Sequence, residues 1–409
     1  MKALVINCYK NNYYLSSLKE MDSLLKTLNI EIELVVQCEL KDINRSTFIS
    51  KGIVEQCAFH TLARNIDIVI FNNDLSPLQV RNLSEQLNVD VIDRSMVIIK
   101  IFEMRAKSKE AKLQVEIASL KYNATRLVEK KANYDQVTSG SGQNKGLGEK
   151  IIDLKRNQIK SLIKKKEDKL KIIQENRLIN RVKRKNTIPL VAITGYTNAG
   201  KSTLMNQLIK ITNNCRKDLT LEEDRLFATL DTTTRLIKVD GHCPFLLTDT
   251  VGFISNLPTH LIDSFKSTLE EIQMADLIIE VIDLSSSNFQ IEQQVNEKII
   301  KELTNKPIIK LYNKIDKTKQ SIVISENELL ISLKDNIYLE QILNLIDEKL
   351  SEFYYEVYLY IPYEDINIFY QLKNNQVLLD YKEDEKGISG SFKFQKGEFK
   401  KYRKYLKHF

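Results

Sequence analysis

Leu190-Val191-Ala192-Ile193-Thr194 is an apolar run of strand type, and Gly195-Tyr196-Thr197-Asn198-Ala199-Gly200-Lys201-Ser202 follows it directly. Thr203-Leu204-Met205-Asn206-Gln207-Leu208 then continues as a helix. This is G-x-x-x-x-G-K-[ST] in the strand, loop and helix setting that its chemistry requires. Glycines let backbone N–H groups wrap an anion, and the helix N-terminus adds positive potential. Lys201 is expected to reach the β- and γ-phosphates of a nucleotide, and Ser202 to ligate Mg2+.

The base is decided further along. Ile308-Ile309-Lys310-Leu311-Tyr312 reads as a strand that ends in Asn313-Lys314-Ile315-Asp316. A carboxylate at Asp316 can accept from both N1–H and the 2-amino group of guanine. Adenine has no such pair of donors and leaves the carboxylate unpaired, at roughly 1 to 3 kcal/mol. Alone, N-K-x-D is a common surface tetrapeptide. At the end of a strand downstream of a phosphate loop it points to GTP.

Between these two segments, Phe245-Leu246-Leu247-Thr248 leads into Asp249-Thr250-Val251-Gly252. A strand ending in Asp places a carboxylate in the Mg2+ shell, and Gly252 lets a backbone N–H approach the γ-phosphate. Leu226-Phe227-Ala228-Thr229-Leu230-Asp231 and the threonines up to Arg235 supply hydroxyls where a switch loop closes on the metal. Phe253 stands where many such enzymes carry a water-orienting Gln, so hydrolysis by the isolated chain is expected to be slow. Asn198 makes K+ a candidate second cation near the phosphates. His60, His242, His260 and His408 are scattered and are assigned to structural or solvent roles.

These residues need elements to carry them. Met1–Asn7, Glu31–Val36, Asp67–Phe71 and Val89–Asp93 read as short strands, and Ser76-Pro77 opens a helix with Leu78, Val80, Leu83 and Leu87 at helical spacing. Met96 to Lys131 reads as one long helix, and Thr138 to Gly148, with four of the 12 glycines, as a flexible connector. A basic helix follows, completing a hairpin. Lys145 to Lys185 holds fifteen Lys or Arg against five Asp or Glu, whereas the whole chain carries only +7. All of the positive excess lies there, which suits contact with nucleic acid. The fold class that follows is α/β, with an N-terminal α/β domain at 1–95, a basic helical-hairpin arm at 96–185, a P-loop GTPase domain at 186–350 and a small α+β domain at 351–409. The aromatic and basic tail Lys400 to Lys407 is either an RNA contact or a solvated end.

At 409 residues with 43% hydrophobic content, the chain can bury several cores and is not disordered throughout. No apolar run approaches the ~20 residues of a membrane span. Five scattered cysteines without a C-x-x-C fit neither a disulfide framework nor a zinc site, so a reducing, cytoplasmic setting is expected.

Gly195–Ser202, Leu226–Asp231 and Asp249–Phe253 together resemble the HflX family of ribosome-associated GTPases. Phe48-Ile49-Ser50-Lys51-Gly52, Asn73–Pro77, Arg81-Asn82-Leu83, Val91–Arg94, Lys112–Glu116 and Leu120-Lys121-Tyr122 extend the likeness, which covers the chain to about Asp335. The resemblance implies Mg2+ on Ser202 and Thr229, with Asp249 in its shell, and guanine contacts on Asn313, Lys314 and Asp316. Ser332-Leu333-Lys334 stands where the family has S-A-K, with Leu for Ala. Lys201, Thr229 and Gly252 are then the residues expected to act on the transferred phosphate. At the arm tip, Lys145-Gly146-Leu147-Gly148-Glu149 departs from the family, with Lys for Arg and Leu for Pro. The function implied is a GTPase that binds the large ribosomal subunit and its RNA and splits or rescues stalled ribosomes, monomeric when off the ribosome. An RNA-binding GTPase of transfer RNA modification or ribosome assembly is the alternative.

Overall fold

Alternating β-rich runs and helices near the N-terminus build a parallel sheet, because strands joined by helical crossovers run the same way. In the computed structural model these strands are β1 (Lys2–Tyr9), β2 (Glu31–Glu39), β3 (Ile68–Phe71) and β4 (Asp90–Asp93), in the spatial order β2-β1-β3-β4. Helices α1 (Tyr14–Thr27), α2 (Lys51–Ala63) and α3 (Pro77–Leu87) connect them. The structure describes residues 1–9, 14–40, 42–137, 145–184, 188–212, 233–239, 241–250, 252–253, 266–318, 322–335, 338–374, 378–395 and 399–406. Two compact units result, one comprising Met1–Glu175 and the other drawn from the chain after it.

In the first unit, β3 is buried along its whole length, as expected of a central parallel strand. The start of α3 is fixed by a reciprocal cap: Gln79 N donates to Ser76 Oγ, Ser76 N donates to Gln79 Oε1, and Pro77 fills the first helical position. The single long helix expected from Met96 is two helices, α4 (Arg94–Arg105) and α5 (Lys109–Val137). Ala106 turns to ψ 112°, and Ser108 caps the new helix by accepting from Ala111 N at 3.0 Å. A competent cap outweighs the unbroken apolar spacing. The next helix, α6 (Lys145–Arg184), takes in Lys145 to Gly148, the end of the expected connector. Glycine costs less in a first turn, whose N–H groups have no intrahelical acceptor. Residues 138–144 lie outside the described residues.

Asp93 ties the sheet to the arm. Its buried carboxylate accepts from Met96 N, from Tyr122 Oη at 2.7 Å and from Arg126 Nη2 at 2.9 Å, and the Arg126 guanidinium lies 3.3 Å from the Tyr122 ring centre. Along the arm, Lys166 pairs with Glu116 at 2.6 Å and Lys121 with Glu167 at 2.9 Å. Ile159, Ile163, Leu170 and Ile173 form the half-buried stripe of α6.

The second unit holds a six-stranded sheet of β5 (Leu190–Gly195), β6 (Thr233–Ile237), β7 (Phe245–Asp249), β8 (Leu277–Asp283), β9 (Ile308–Asn313) and β10 (Glu328–Leu330). The order is β10-β9-β8-β5-β7-β6, parallel except for β6. Helices α7 (Lys201–Ile211), α8 (Lys266–Met274), α9 (Phe289–Leu303) and α10 (Leu339–Leu350) accompany it. Beyond them β11 (Tyr354–Pro362), α11 (Ile366–Asn374), β12 (Leu378–Glu383) and β13 (Gly387–Gln395) make a small α+β appendage with an antiparallel sheet. Tyr354 Oη donates to Pro244 O, and His242 Nδ1 meets Asp347 at 2.9 Å, which gives this histidine a structural place. The aromatic tail turns inward. Tyr402 stacks on Phe394, and buried Tyr405 donates to Asp365, so neither ring is offered to RNA. Among the described residues no helix is long and apolar enough to cross a membrane.

One buried group strains this unit. Glu280, in the middle of β8, is fully buried. Asn296 approaches it, yet neither carboxyl oxygen makes a well-formed hydrogen bond among the described residues. Burial lifts its pKa from an ordinary 4.5 to about 7; Lys310 pulls it down, while Glu297 and Glu328 push it up. A carboxyl whose folded pKa lies above its unfolded one stabilises the fold fully below about pH 4.5, and that contribution is lost as pH rises through about 7. Glu280→Gln should remove the dependence. Between pH 5 and 8 the wild type should lose on the order of 3 kcal/mol relative to the variant, measured by urea unfolding of the full chain at each pH.

Candidate nucleotide site

Positive φ and close main-chain approach shape the loop after β5. At Gly195, with φ 142°, a Cβ would lie 2.2 Å from Val281 O. At Gly200, with φ 108°, it would lie 2.3 Å from Asn313 Nδ2. Side chains are excluded at both places, which leaves the main chain there free for close approach. Thr197 N donates to Phe253 O at 2.8 Å, and Phe253 N donates to Gly195 O at 3.1 Å, so the D-x-x-G segment is stitched to the loop.

Lys201 and Ser202 open α7 beneath this loop. Lys201 Nζ donates to Tyr196 O at 2.7 Å, and a Cβ on Gly252 would stand 2.7 Å from the same ammonium. Ser202 Oγ donates to Asp249 Oδ2 at 3.0 Å. A lysine, a hydroxyl and a buried carboxylate therefore converge beside a loop with no side chains at its glycines, which suits a phosphate and a hard cation. Thr250 Oγ1 donates to Ile193 O at 2.7 Å and locks the end of β7 to β5. Thr197 is buried, and its hydroxyl has no hydrogen-bond partner among the described residues.

The N-K-x-D segment lies against the other side of the loop. Buried Asn313 donates from Nδ2 to Ala199 O at 2.8 Å and accepts Leu333 N at 3.1 Å. Lys314 Nζ donates to Asn198 O at 2.8 Å and to Asp283 Oδ2 at 2.7 Å, from a backbone at φ 65°. Asp316 follows Ile315 in a short 3-10 turn and is exposed, with Ser332 Oγ 3.0 Å from its Oδ1. Leu333 is buried, and a Cβ on Gly200 would be 3.3 Å from its Cδ1, so the leucine fills space under the loop. Lys334 is exposed.

Thus Gly195 to Ser202, Asp249, Thr250, Gly252, Asn313 to Asp316 and Ser332 to Lys334 gather around one loop. Phe227, Ala228, Thr229, Leu230, Asp231 and Val251 lie outside the described residues. Two supports escape a reading by motif. Gln207 on α7 donates to Leu333 O at 2.8 Å, and Asp283 at the end of β8 holds Lys314. Gln207 lies inside the helix that follows the loop and Asp283 closes the strand beside it, and that position is the only signal a sequence carries for them.

A parallel sheet with a phosphate loop after one strand and N-K-x-D after another defines a P-loop GTPase. Residues 15–103 match a family model described as GTP-binding GTPase N-terminal, residues 105–184 one described as GTP-binding GTPase Middle Region, and residues 190–314 one described as 50S ribosome-binding GTPase. The GTPase HflX of Caldanaerobacter subterraneus is 39% identical over 91% of this chain and 86% of its own length. That of Lacrimispora saccharolytica is 38% identical over 81% of this chain and 78% of its own. A GTP-binding protein from Sulfolobus solfataricus, solved with GDP, is 24% identical over 86% of this chain and 99% of its own, with a TM-score of 0.47. The chain belongs to the HflX family of GTPases: it binds guanine nucleotides and hydrolyses GTP.

Burial drives the pKa of Lys201 down to about 8; Asp249 opposes the shift and Lys314 adds to it. Above that pH an arriving polyphosphate must first recruit a proton to the lysine. GDP affinity should therefore be flat from pH 6.5 to 7.5 and fall up to about tenfold per unit above pH 8. Lys201→Ala should bind weakly with no such break. Titration calorimetry at fixed ionic strength from pH 6.5 to 9.5 reads both.

Proposed function

We propose that this GTPase works on the large ribosomal subunit, grips ribosomal RNA with its basic arm, and splits or rescues stalled ribosomes in a GTP-dependent cycle. The observation that carries the reading is the one-sided arm. Lys155, Arg156, Lys160, Lys164, Lys165 and Lys169 are all exposed on α6, where solvated charge without acidic partners among the described residues suits a phosphate backbone. The family model over residues 190–314, described as a 50S ribosome-binding GTPase, supports the choice of subunit. In this division of labour residues 1–95 and 96–185 face RNA, residues 186–350 hydrolyse GTP, and residues 351–409 are an appendage.

Within the site, Lys201 and the amide of Gly252 take the γ-phosphate, and the loop amides take the β-phosphate. Asp316 accepts from N1–H and the 2-amino group of guanine, with Asn313 and Lys314 fixing the loop beside it. Mg2+ would be held by Ser202 and Thr229, with Asp249 nearby, and would supply positive charge to offset that of the phosphates. Asn198, exposed in the loop at φ 63°, is the residue proposed to admit K+.

Phe253 cannot place the attacking water. Its half-buried ring packs against the cluster of Ala192, Ile272, Ala275, Ile278 and Ile300 while its main chain pairs with the loop. The water is therefore positioned by what the partner rearranges, and the isolated chain is slow.

Purified large subunits should raise the GTP hydrolysis rate by at least an order of magnitude, and 0.5 M KCl should abolish the gain. Reversing Lys164, Lys165 and Lys169 to Glu should lower the salt slope of subunit binding by about 3, roughly 0.9 for each phosphate no longer neutralised. Lys166 is left alone because it pairs with Glu116 inside the arm. A rate indifferent to subunits would sink the ribosomal reading and leave transfer RNA or assembly intermediates as the partner.

A further inference from the structure

We propose that Asp335 is a positioning residue for base selection: it draws the Ser332 proton away from Asp316 and so makes the site demand both donors of guanine. This rests on the base-site reading of Asp316 given above. Ser332 Oγ lies 2.7 Å from Asp335 Oδ2 and 3.0 Å from Asp316 Oδ1. A serine hydroxyl has one proton and can donate it to only one of the two carboxylates. The shorter contact is to Asp335.

The surroundings hold this competition in place. Ser332 is 2% exposed, so water has little access to its hydroxyl. The loop cannot swing away, because Leu333 N is bonded to Asn313 Oδ1, Leu333 O accepts Gln207 Nε2, and the Leu333 side chain is buried. Ile331 N donates to Tyr312 O at 2.8 Å just before it. Among the described residues Asp316 has no hydrogen-bond partner other than Ser332.

The chemistry follows from counting protons. With the hydroxyl proton on Asp335, Ser332 turns lone pairs toward Asp316, and the carboxylate must find its donors on the base. Guanine supplies two, N1–H and the 2-amino group. Hypoxanthine supplies N1–H alone and leaves one carboxylate oxygen desolvated and unpaired, which is the expensive outcome. With Asp335 absent, Ser332 donates to Asp316 and covers that oxygen, so hypoxanthine is penalised less. Asp335 touches no base in this scheme; it acts through Ser332.

The experiment measures dissociation constants for GDP and inosine diphosphate with the full-length chain. Asp335 is exposed, so Asp335→Ala should fold, and its melting curve checks that it does. The preference for GDP over inosine diphosphate should fall about three- to tenfold in Asp335→Ala, the range of one typical hydrogen bond, since Asp316 is exposed and its charge is partly screened. In a Ser332→Ala background the same substitution should change the ratio by less than twofold, because the route through the hydroxyl is gone. An unchanged ratio, or an equal change with and without Ser332, overturns the proposal. Asp316→Asn separates this from the parent reading, since it should weaken GDP and gain xanthosine diphosphate, whose 2-carbonyl accepts from the new amide. If Asp316→Asn switches bases while Asp335→Ala does nothing, only the role of Asp335 fails. If Asp316→Asn leaves GDP binding intact, the base-site reading falls and the proposal falls with it.

Discussion

A single buried amide holds the nucleotide site together. Asn313 reaches from the end of β9 to Ala199 O in the phosphate loop and to Leu333 N in the loop after β10. Its two hydrogen bonds join two loops proposed to carry different halves of the ligand. Gly200 has to be glycine for the same reason, because the Asn313 amide occupies the space a Cβ would need. Since the amide is 3% exposed, losing either bond would leave a polar group buried without water to replace its partner. The phosphate loop and the loop after β10 are thereby held in one register. Lys314 reinforces the joint through Asn198 O and Asp283.

How much of this was legible depends on whether the cause is local. The strand, loop and helix around Lys201 are specified by neighbours in sequence: an apolar run, two glycines with positive φ and a good helix former. The start of α3 is equally local, since Ser76, Pro77 and Gln79 make their own cap. The break between α4 and α5 is a contest of two local signals. Apolar residues continue across Ala106 to Ser108 at helical spacing, and only the Ser108 cap says otherwise. The inward turn of Tyr402 and Tyr405 could not be read, because their partners Phe394 and Asp365 are distant in sequence and the flanking lysines suggest a solvated tail. Gln207 and Asp283 are in the same position: ordinary residues whose roles exist only once two loops meet.

Two buried ionisable groups in the same unit show how burial costs are met differently. Lys201 sits beside Tyr196 O and Asp249, and its depressed pKa marks a charge that is under-solvated until an anion arrives. That penalty is returned when the ligand binds, so the ground state is poised for phosphate. Glu280 has no such partner in view, and its raised pKa means that the fold prefers it neutral. Lys310 would be the natural counter-charge, but it already bonds Glu297 at 2.8 Å and lies 3.5 Å from Glu328. The lysine is shared among three carboxyls, and the innermost one receives least.

The backbone ladder between Gly195 and Phe253 constrains how hydrolysis can be controlled. Because Thr197 N and Phe253 N both pair across it, the segment carrying Gly252 cannot shift without disturbing the phosphate loop. The Phe253 ring, committed to the apolar cluster with Ile272 and Ile278, resists the same movement. A polar side chain at this position would have been free to turn toward the γ-phosphate and orient water. A half-buried aromatic ring packed on that cluster is not, since exposing it fully would forfeit on the order of 1 kcal/mol of burial. Phe253 therefore holds its segment against the phosphate loop and offers no group to orient a water. A partner that binds tightly enough to repay that cost can change the balance, and one that binds weakly cannot.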